Sequence, residues 1–363
     1  MKAPARQSLG GIRLLAVDDS AFVLKAVERM VAEWDDVRLV GTARDGADAI
    51  SQAAALEPDV IVMDVSMPNV DGLQALERIM AERPVPIILF SSLTKENADV
   101  TLRGLELGAV DFVDKGSVGS PMDIHTLAPA LHDKIRGAAG ASPASPRAPL
   151  EGLPAVQPPT APGLAAESAY DVIVVGTSTG GPRALGRILP RLPRDFGAAV
   201  VVVQHMPEGF TRSLADRLDR LSAIEVREAA DAVPLRPGVA LIAPAGLEFT
   251  VEGTEKGLRA RVRPPSGDYR HDPSVNGVLM SVARAAGRRA IGVILTGMGE
   301  DGAEGLRALR EAGGRTIAES RNTTVIDGMP RAARPAAEFV APLDSIPQML
   351  VDLCAGRVLA PRA

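Results

Sequence analysis

Ser178 stands in Gly176-Thr177-Ser178-Thr179-Gly180-Gly181, directly after the apolar run 172–175, where a serine hydroxyl can be held at the mouth of a parallel sheet. Two later segments follow the same pattern. Gln204-His205-Met206-Pro207 comes after apolar residues 199–203, and Thr296-Gly297-Met298-Gly299-Glu300-Asp301-Gly302 comes after 290–295. Carboxyl ends of neighbouring parallel strands lie together, so Ser178, His205 and Asp301 can converge although they are far apart in sequence. The chemistry such a trio performs is acyl transfer: a neutral imidazole takes the hydroxyl proton and a carboxylate fixes the imidazole tautomer. His205 is the best base among the four histidines, because His125 and His132 lie beside the last helix of the first half and read as solvated surface. His271, in Tyr269-Arg270-His271-Asp272-Pro273-Ser274, reads either as a substrate contact or as a residue leading into a helix. The amides of Met298, in a glycine-flanked turn, and of Thr179, directly after the nucleophile, are candidates to donate to an oxyanion.

A different chemistry fits part of the same sequence. Residues 297–302 satisfy G-x-G-x-x-G between a strand and a helix, with Glu319 about 20 residues on, as in dinucleotide binding. Charge argues against it: Glu300 and Asp301 would set two carboxylates where a pyrophosphate needs bare amide donors. The orienting member of a triad accounts for a carboxylate there better.

The second cluster is acidic. Asp18 and Asp19 follow one strand and Asp64 ends another, and three carboxylates this close repel unless a hard cation such as Mg²⁺ neutralises them. Ser91 and Lys115, a hydroxyl and an ammonium at two further strand ends, suit a phosphoryl oxygen. Taken alone, Asp18-Asp19-Ser20 is equally a helix cap with acids favoured by the dipole. The conjunction of five ordered positions is what points to function.

The elements that must position these groups are strands and helices in alternation. In the first half the spacing predicts strands at 12–17, 37–43, 60–64, 87–91 and 112–113, with helices at 21–34, 47–56, 72–81, 97–107 and 124–135. Five such pairs make a doubly wound α/β domain. Seven prolines between 143 and 162 break any helix or ladder, and residues 137–169 read as a solvated linker. Alternation resumes with strands at 172–176, 199–204, 290–296 and 316–318 and helices at 183–192, 211–221, 274–286 and 302–311. The stretch 239–262 departs from it, reading as three short strands in an antiparallel excursion. The expected organisation is an α/β domain at 12–136, a linker at 137–169, and a second doubly wound, mostly parallel α/β domain at 170–355.

Bulk properties narrow the functional classes. Hydrophobic content of 46% and charged content of 23% are ordinary for a globular chain with real cores. Cys354 is the single cysteine, which excludes an internal disulfide framework and a multi-cysteine zinc site and fits a reducing compartment. Residues 1–11 lack an apolar stretch ahead of a cleavage site, and no run approaches the ~20 apolar residues of a membrane span. A cytoplasmic protein without membrane insertion is expected. Residues 1–169 carry a net charge of −8 and residues 170–363 one of +3, with 3% aromatics to stack on bases, so nucleic acid is not an expected partner.

Through Asp18-Asp19, Asp64-Val65-Ser66-Met67-Pro68-Asn69-Val70-Asp71-Gly72, Ser91 and Lys115, residues 12–136 resemble response-regulator receivers. The resemblance implies that Asp64 accepts a phosphoryl group from a histidine kinase. Mg²⁺ would be held by Asp19, Asp64 and the Ser66 carbonyl with Asp18 assisting, and Ser91 and Phe112 would relay the change. Gly116 departs from the proline usual after the lysine. The second half resembles the catalytic domain of chemotaxis protein-glutamate methylesterases, through residues 176–182, 204–207, 209–211, 242–244, 271–275, 295–302 and 328–331. That likeness implies hydrolysis of glutamate methyl esters on chemoreceptors, deamidation of receptor glutamines, and a catalytic face covered by the receiver until it is phosphorylated. Ser178 would be the nucleophile, His205 the base and then the acid, and Asp301 the orienting carboxylate. Glu248, Asn276 and Asp327 depart from the pattern, and they read either as tuning the accepted receptor helix or as surface decoration.

Overall fold

The structure, a computed structural model, describes residues 11–91, 95–115, 124–141 and 168–357. It divides into two compact units, Met1–Arg147 and Ala148–Ala363.

In the first unit the strands β1 (Ile12–Val17), β2 (Val37–Ala43), β3 (Val60–Asp64), β4 (Ile87–Ser91) and β5 (Asp111–Asp114) form one parallel sheet in the order β2-β1-β3-β4-β5. Helices α1 (Ala21–Ala32), α2 (Gly46–Leu56), α3 (Gly72–Glu82), α4 (Lys95–Leu107) and α5 (Ile124–Ala139) connect or follow them. The central strands β3 and β4 are buried throughout, as expected when helices cover both faces of a parallel sheet. Helix α1 buries Val23, Val27, Met30 and Val31, a stripe at helical spacing, and Ser20 caps its first turn through the Val23 amide. Asp71 and Gln74 close a capping box that starts α3. Helix α5 runs on to Ala139, past the predicted end at 135.

The second unit holds a seven-stranded sheet in the order β14-β13-β12-β6-β7-β9-β8. Its strands are β6 (Val172–Thr177), β7 (Ala199–Gln204), β8 (Glu225–Glu228), β9 (Val239–Ile242), β12 (Ala290–Ile294), β13 (Arg315–Glu319) and β14 (Phe339–Ala341). Every pairing in it is parallel. A separate hairpin joins β10 (Glu248–Thr254) to β11 (Gly257–Arg263). The helices are α6 (Gly181–Ile188), α7 (Phe210–Leu221), α8 (Val275–Ala285), α9 (Ala303–Glu311), α10 (Gly328–Ala333) and α11 (Ile346–Cys354). The predicted excursion is therefore smaller than expected. Residues 239–242 belong to the main sheet, hydrogen-bonded in parallel to β7 and β8, and only β10 and β11 are antiparallel. Strand β8, with sequence EVRE, is a polar edge strand that periodicity does not reveal.

Residues Val172, Ile173, Val174 and Val175 of β6 are fully enclosed, each contributing about 1.5–3 kcal/mol by leaving water. A charged residue at Val174 would be stranded there without a partner. Because β6 pairs with β12 on one side and β7 on the other, the chain direction across the sheet reverses at β6. Crevices at such reversals are where α/β sheets bind ligands. Among the described residues, no helix is long and apolar enough to cross a membrane.

Candidate active site

The turns leaving β6, β7 and β12 carry Ser178, His205 and Asp301 to one rim. Strand pairing persists into these turns: the His205 amide donates to the Thr177 carbonyl (3.1 Å) and the Ser178 amide to the Thr296 carbonyl (3.1 Å). Gly180, with φ +79°, makes the left-handed turn between Ser178 and α6 that an L side chain would resist. Gly297 lies flat against Ser178; a Cβ there would fall 2.9 Å from the Ser178 Cβ. A single amide ties the two turns together, for Gln204 Nε2 donates to the carbonyls of Ser178 (2.9 Å) and His205 (2.8 Å).

His205 Nε2 meets Asp301 Oδ2 at 2.9 Å, with both side chains largely buried. That carboxylate sits over the first turn of α8, receiving the Val275 amide (2.8 Å), the Asn276 amide (2.9 Å) and the Ser274 hydroxyl (3.1 Å). Helix amides carry partial positive charge and favour an anion at this position. Burial is the strongest influence on the Asp301 carboxyl and pushes its pKa up. The His205 hydrogen bond and charge, with the Asn276 and Val275 amides, outweigh it and hold the group below its ordinary value. Asp301 thus engages Nε2 and leaves Nδ1 as the other nitrogen of the ring. No hydrogen bond joins the Ser178 hydroxyl to the ring among the described residues, so the trio is closed on its carboxylate side and open on its serine side. Ser178 and Met298 are half-buried and Thr179 is buried, all in the turns that follow β6 and β12.

His271, for which the sequence allows two roles, stacks on the His205 ring with centroids 4.4 Å apart and planes 26° from parallel. Burial and the neighbouring His205 charge lower its pKa, which favours its neutral form. His132 is not free surface as expected: its Nε2 meets Asp36 Oδ1 at 2.6 Å and its ring stacks on Trp34. The side chain of His125 lies outside the described residues.

The dinucleotide alternative meets two obstacles. Asn276 Oδ1 already accepts the Gly302 amide (2.9 Å) and the Gly305 amide (2.8 Å), so donors a pyrophosphate would use at the start of α9 are spent. Glu319, which that motif would use to hold a ribose, is 0% exposed and bonded to the Thr296 amide.

In the first unit, carboxylate oxygens of Asp18, Asp19 and Asp64 lie within 4.8 Å of one another. Asp18 and Asp64 are buried and Asp19 is exposed. Lys115 Nζ bridges the two buried ones, 2.6 Å from Asp18 Oδ2 and 2.8 Å from Asp64 Oδ2. Burial raises the Asp18 pKa despite the opposing hydrogen bond and charge of Lys115. Ser66 is exposed and its amide approaches Asp64 Oδ1 at 3.3 Å. Ser91 is buried and receives a hydrogen bond from the Thr101 hydroxyl on α4 (2.7 Å), a partner that nothing in the sequence pattern singles out. Phe112 is buried on β5. Gly116 lies outside the described residues.

Residues 173–350 match the family described as CheB methylesterase, and residues 14–126 match the response regulator receiver domain. A protein-glutamate methylesterase/protein-glutamine glutaminase of Geobacillus kaustophilus is 43% identical over 94% of this chain and 98% of its own length. One from Symbiobacterium thermophilum is 44% identical over 92% of this chain and 95% of its own. The chain belongs to the CheB methylesterase family. Among solved structures, the CheB methylesterase catalytic domain of Thermotoga maritima is 39% identical, covering 51% of this chain and 98% of that one with a TM-score of 0.49.

Within this CheB-family chain the three departures have definite surroundings. Asn276 is no surface ornament: its amide holds Asp301 and its side chain caps α9, binding the carboxylate turn from both sides. Asp327 pairs with Arg334 just before α10. Glu248 opens the β10 and β11 hairpin opposite Arg263.

Proposed function

We propose that this chain is a phosphorylation-activated protein-glutamate methylesterase that hydrolyses glutamate methyl esters on chemoreceptors and deamidates receptor glutamines, using Ser178, His205 and Asp301. The observation that carries this reading is the His205 to Asp301 contact of 2.9 Å, with the carboxylate anchored by α8 and the ring at the rim shared with Ser178. Ser178 Oγ attacks the ester carbon while its proton passes to His205 Nδ1, and Asp301 stabilises the imidazolium formed. The Thr179 and Met298 amides receive the oxyanion. As the intermediate collapses, His205 returns the proton to the departing oxygen and methanol leaves. Water, deprotonated by His205, then attacks the acyl-enzyme and releases the glutamate carboxylate and the Ser178 hydroxyl. A glutamine amide follows the same course with ammonia as leaving group.

Control by phosphorylation is assigned to Asp64, with a histidine kinase as phosphodonor. The donor set fits Mg²⁺: carboxylate oxygens of Asp18, Asp19 and Asp64 converge, and the Ser66 carbonyl follows close behind in the chain. A bound Mg²⁺ would neutralise charge on the incoming phosphoryl oxygens. Lys115 already spans Asp18 and Asp64 and is the cation positioned to meet a phosphoryl group on Asp64, while Ser91, bonded to α4 through Thr101, and Phe112 transmit the change.

The test is methanol release from methylated receptor membranes by the full chain. Ser178→Ala, His205→Ala and Asp301→Ala should each abolish most of it with the fold intact, and near-normal release by the serine variant overturns the mechanism. Equal turnover by the full chain and a 170–363 fragment, with and without phosphodonor, overturns the regulation.

A further inference from the structure

Beneath the nucleophile turn lies a carboxyl group with no part in the triad. Glu319 ends β13 and is 0% exposed. Its Oε2 receives the Thr296 amide at 2.9 Å. Its Oε1 has no hydrogen bond of good geometry among the described residues: the Thr323 hydroxyl lies near enough to favour the carboxylate, yet is also 3.3 Å from the Ser320 carbonyl. A buried carboxylate with one oxygen so poorly served is costly and calls for an explanation.

Thr296 is what Glu319 holds, and Thr296 holds the nucleophile turn. The Thr296 carbonyl receives the Ser178 amide (3.1 Å) and the Thr177 hydroxyl (2.8 Å). Its hydroxyl donates to the Thr179 carbonyl (3.0 Å) and accepts the Ile326 amide (2.9 Å). The Thr296 amide and carbonyl belong to successive peptide groups, so the link between them is positional: a stronger acceptor at the amide fixes more firmly the residue whose carbonyl and hydroxyl hold the Ser178 turn.

Building on the triad reading, we propose that Glu319 is a positioning residue for Ser178, acting by anchoring the backbone of Thr296 and holding it more firmly as a carboxylate than as a carboxylic acid. A charge-assisted bond is about twice as strong as its neutral counterpart, so proton loss from Glu319 tightens the turn that presents the hydroxyl. Burial, opposed by the Thr296 amide and the Thr323 hydroxyl, pushes the Glu319 pKa up to about 7. The charged groups that face it reinforce this: Asp327, before α10, and Asp344, in the turn Leu343–Ser345, both raise it. Each of those is itself paired, Asp327 with Arg334 and Asp344 with Arg187 and Arg191, which limits their effect. The proton therefore comes off near neutrality, well above the usual carboxylate range.

The experiment compares full-length wild type, Glu319→Gln and Ser178→Ala on methylated receptor membranes from mildly acidic to mildly alkaline pH, taking the ratio of variant to wild type at each pH so that effects on the receiver cancel. Above neutrality Glu319→Gln should lose about tenfold in kcat with KM unchanged, and on the acid side the two enzymes should converge. A ratio constant with pH overturns the proposal. An active Ser178→Ala would instead bring down the triad on which it stands. In wild type alone, the rate at which a fluorophosphonate labels Ser178 should rise with pH through two proton losses, and a single ionisation overturns the proposal without any Glu319 variant.

Discussion

Asn276→Ala isolates the scaffolding of the carboxylate from its chemistry. The substitution removes the acceptor of the Gly302 and Gly305 amides at 2.9 and 2.8 Å, yet leaves the backbone amides of Val275 and Asn276 and the Ser274 hydroxyl on Asp301. Losing a helix cap costs about 1–2 kcal/mol, and the second part-buried amide adds about 1 kcal/mol. Together these amount to about 2–3 kcal/mol, which for a unit of roughly 200 residues lowers its melting temperature by roughly 5–10 °C. Turnover well below the transition should fall by less than about tenfold, since Asp301 keeps its own donors. Calorimetry of the full chain gives the melting shift, and amide hydrogen exchange gives the location: Gly302 and Gly305 should exchange faster while Val278, bonded to the Ser274 carbonyl, stays protected. A melting temperature within about 1 °C of wild type, or unchanged exchange at both glycines, would refute the capping argument.

Further consequences are equally direct. Gly297→Ala sets a methyl against the Met329 sulfur and 2.9 Å from the Ser178 Cβ, and should cut kcat by about 10²-fold or more with little change in secondary structure by circular dichroism. On the proposed mechanism Asp301→Asn removes the charge that would stabilise an imidazolium, and it should lower kcat by about 10³- to 10⁴-fold, measured as methanol release. Glu319 has a folded pKa of about 7 against an ordinary 4.5, so its favourable contribution is present below 4.5 and lost as pH rises through 7. The stability of Glu319→Gln relative to wild type should accordingly grow by about 3 kcal/mol between acid and alkaline conditions, read from urea unfolding at several pH values. Lys115→Ala strips the cation shared by Asp18 and Asp64 and should destabilise the first unit by about 3 kcal/mol, a loss that added Mg²⁺ recovers in thermal melts.

The two doubly wound folds and the strand-end placement of Ser178, His205 and Asp301 are legible in the sequence, because a long apolar run followed by glycine and polar residues is what a buried parallel strand and its exit turn require. Residues 239–242 are harder to place, since a four-residue apolar strand looks the same in a parallel sheet as beside a hairpin turn; only its neighbours β7 and β8 decide. The polar edge strand β8 carries no pattern at all. The roles of Asn276 and Glu319 escape the sequence for a common reason. Their meaning lies in which backbone amides they accept, and those amides belong to residues distant in sequence. The scarcity of histidine draws attention to His271, but its stacking on His205 is a property of the folded chain.

Because the Gln204 side chain grips the carbonyls of both Ser178 and His205, the two turns are fastened to one another by a single amide. Its oxygen lies against Gly181, where even a methyl group would collide, so the clamp has a fixed seat. Displacement of the serine turn would therefore carry the turn of His205 with it rather than open a gap between the two.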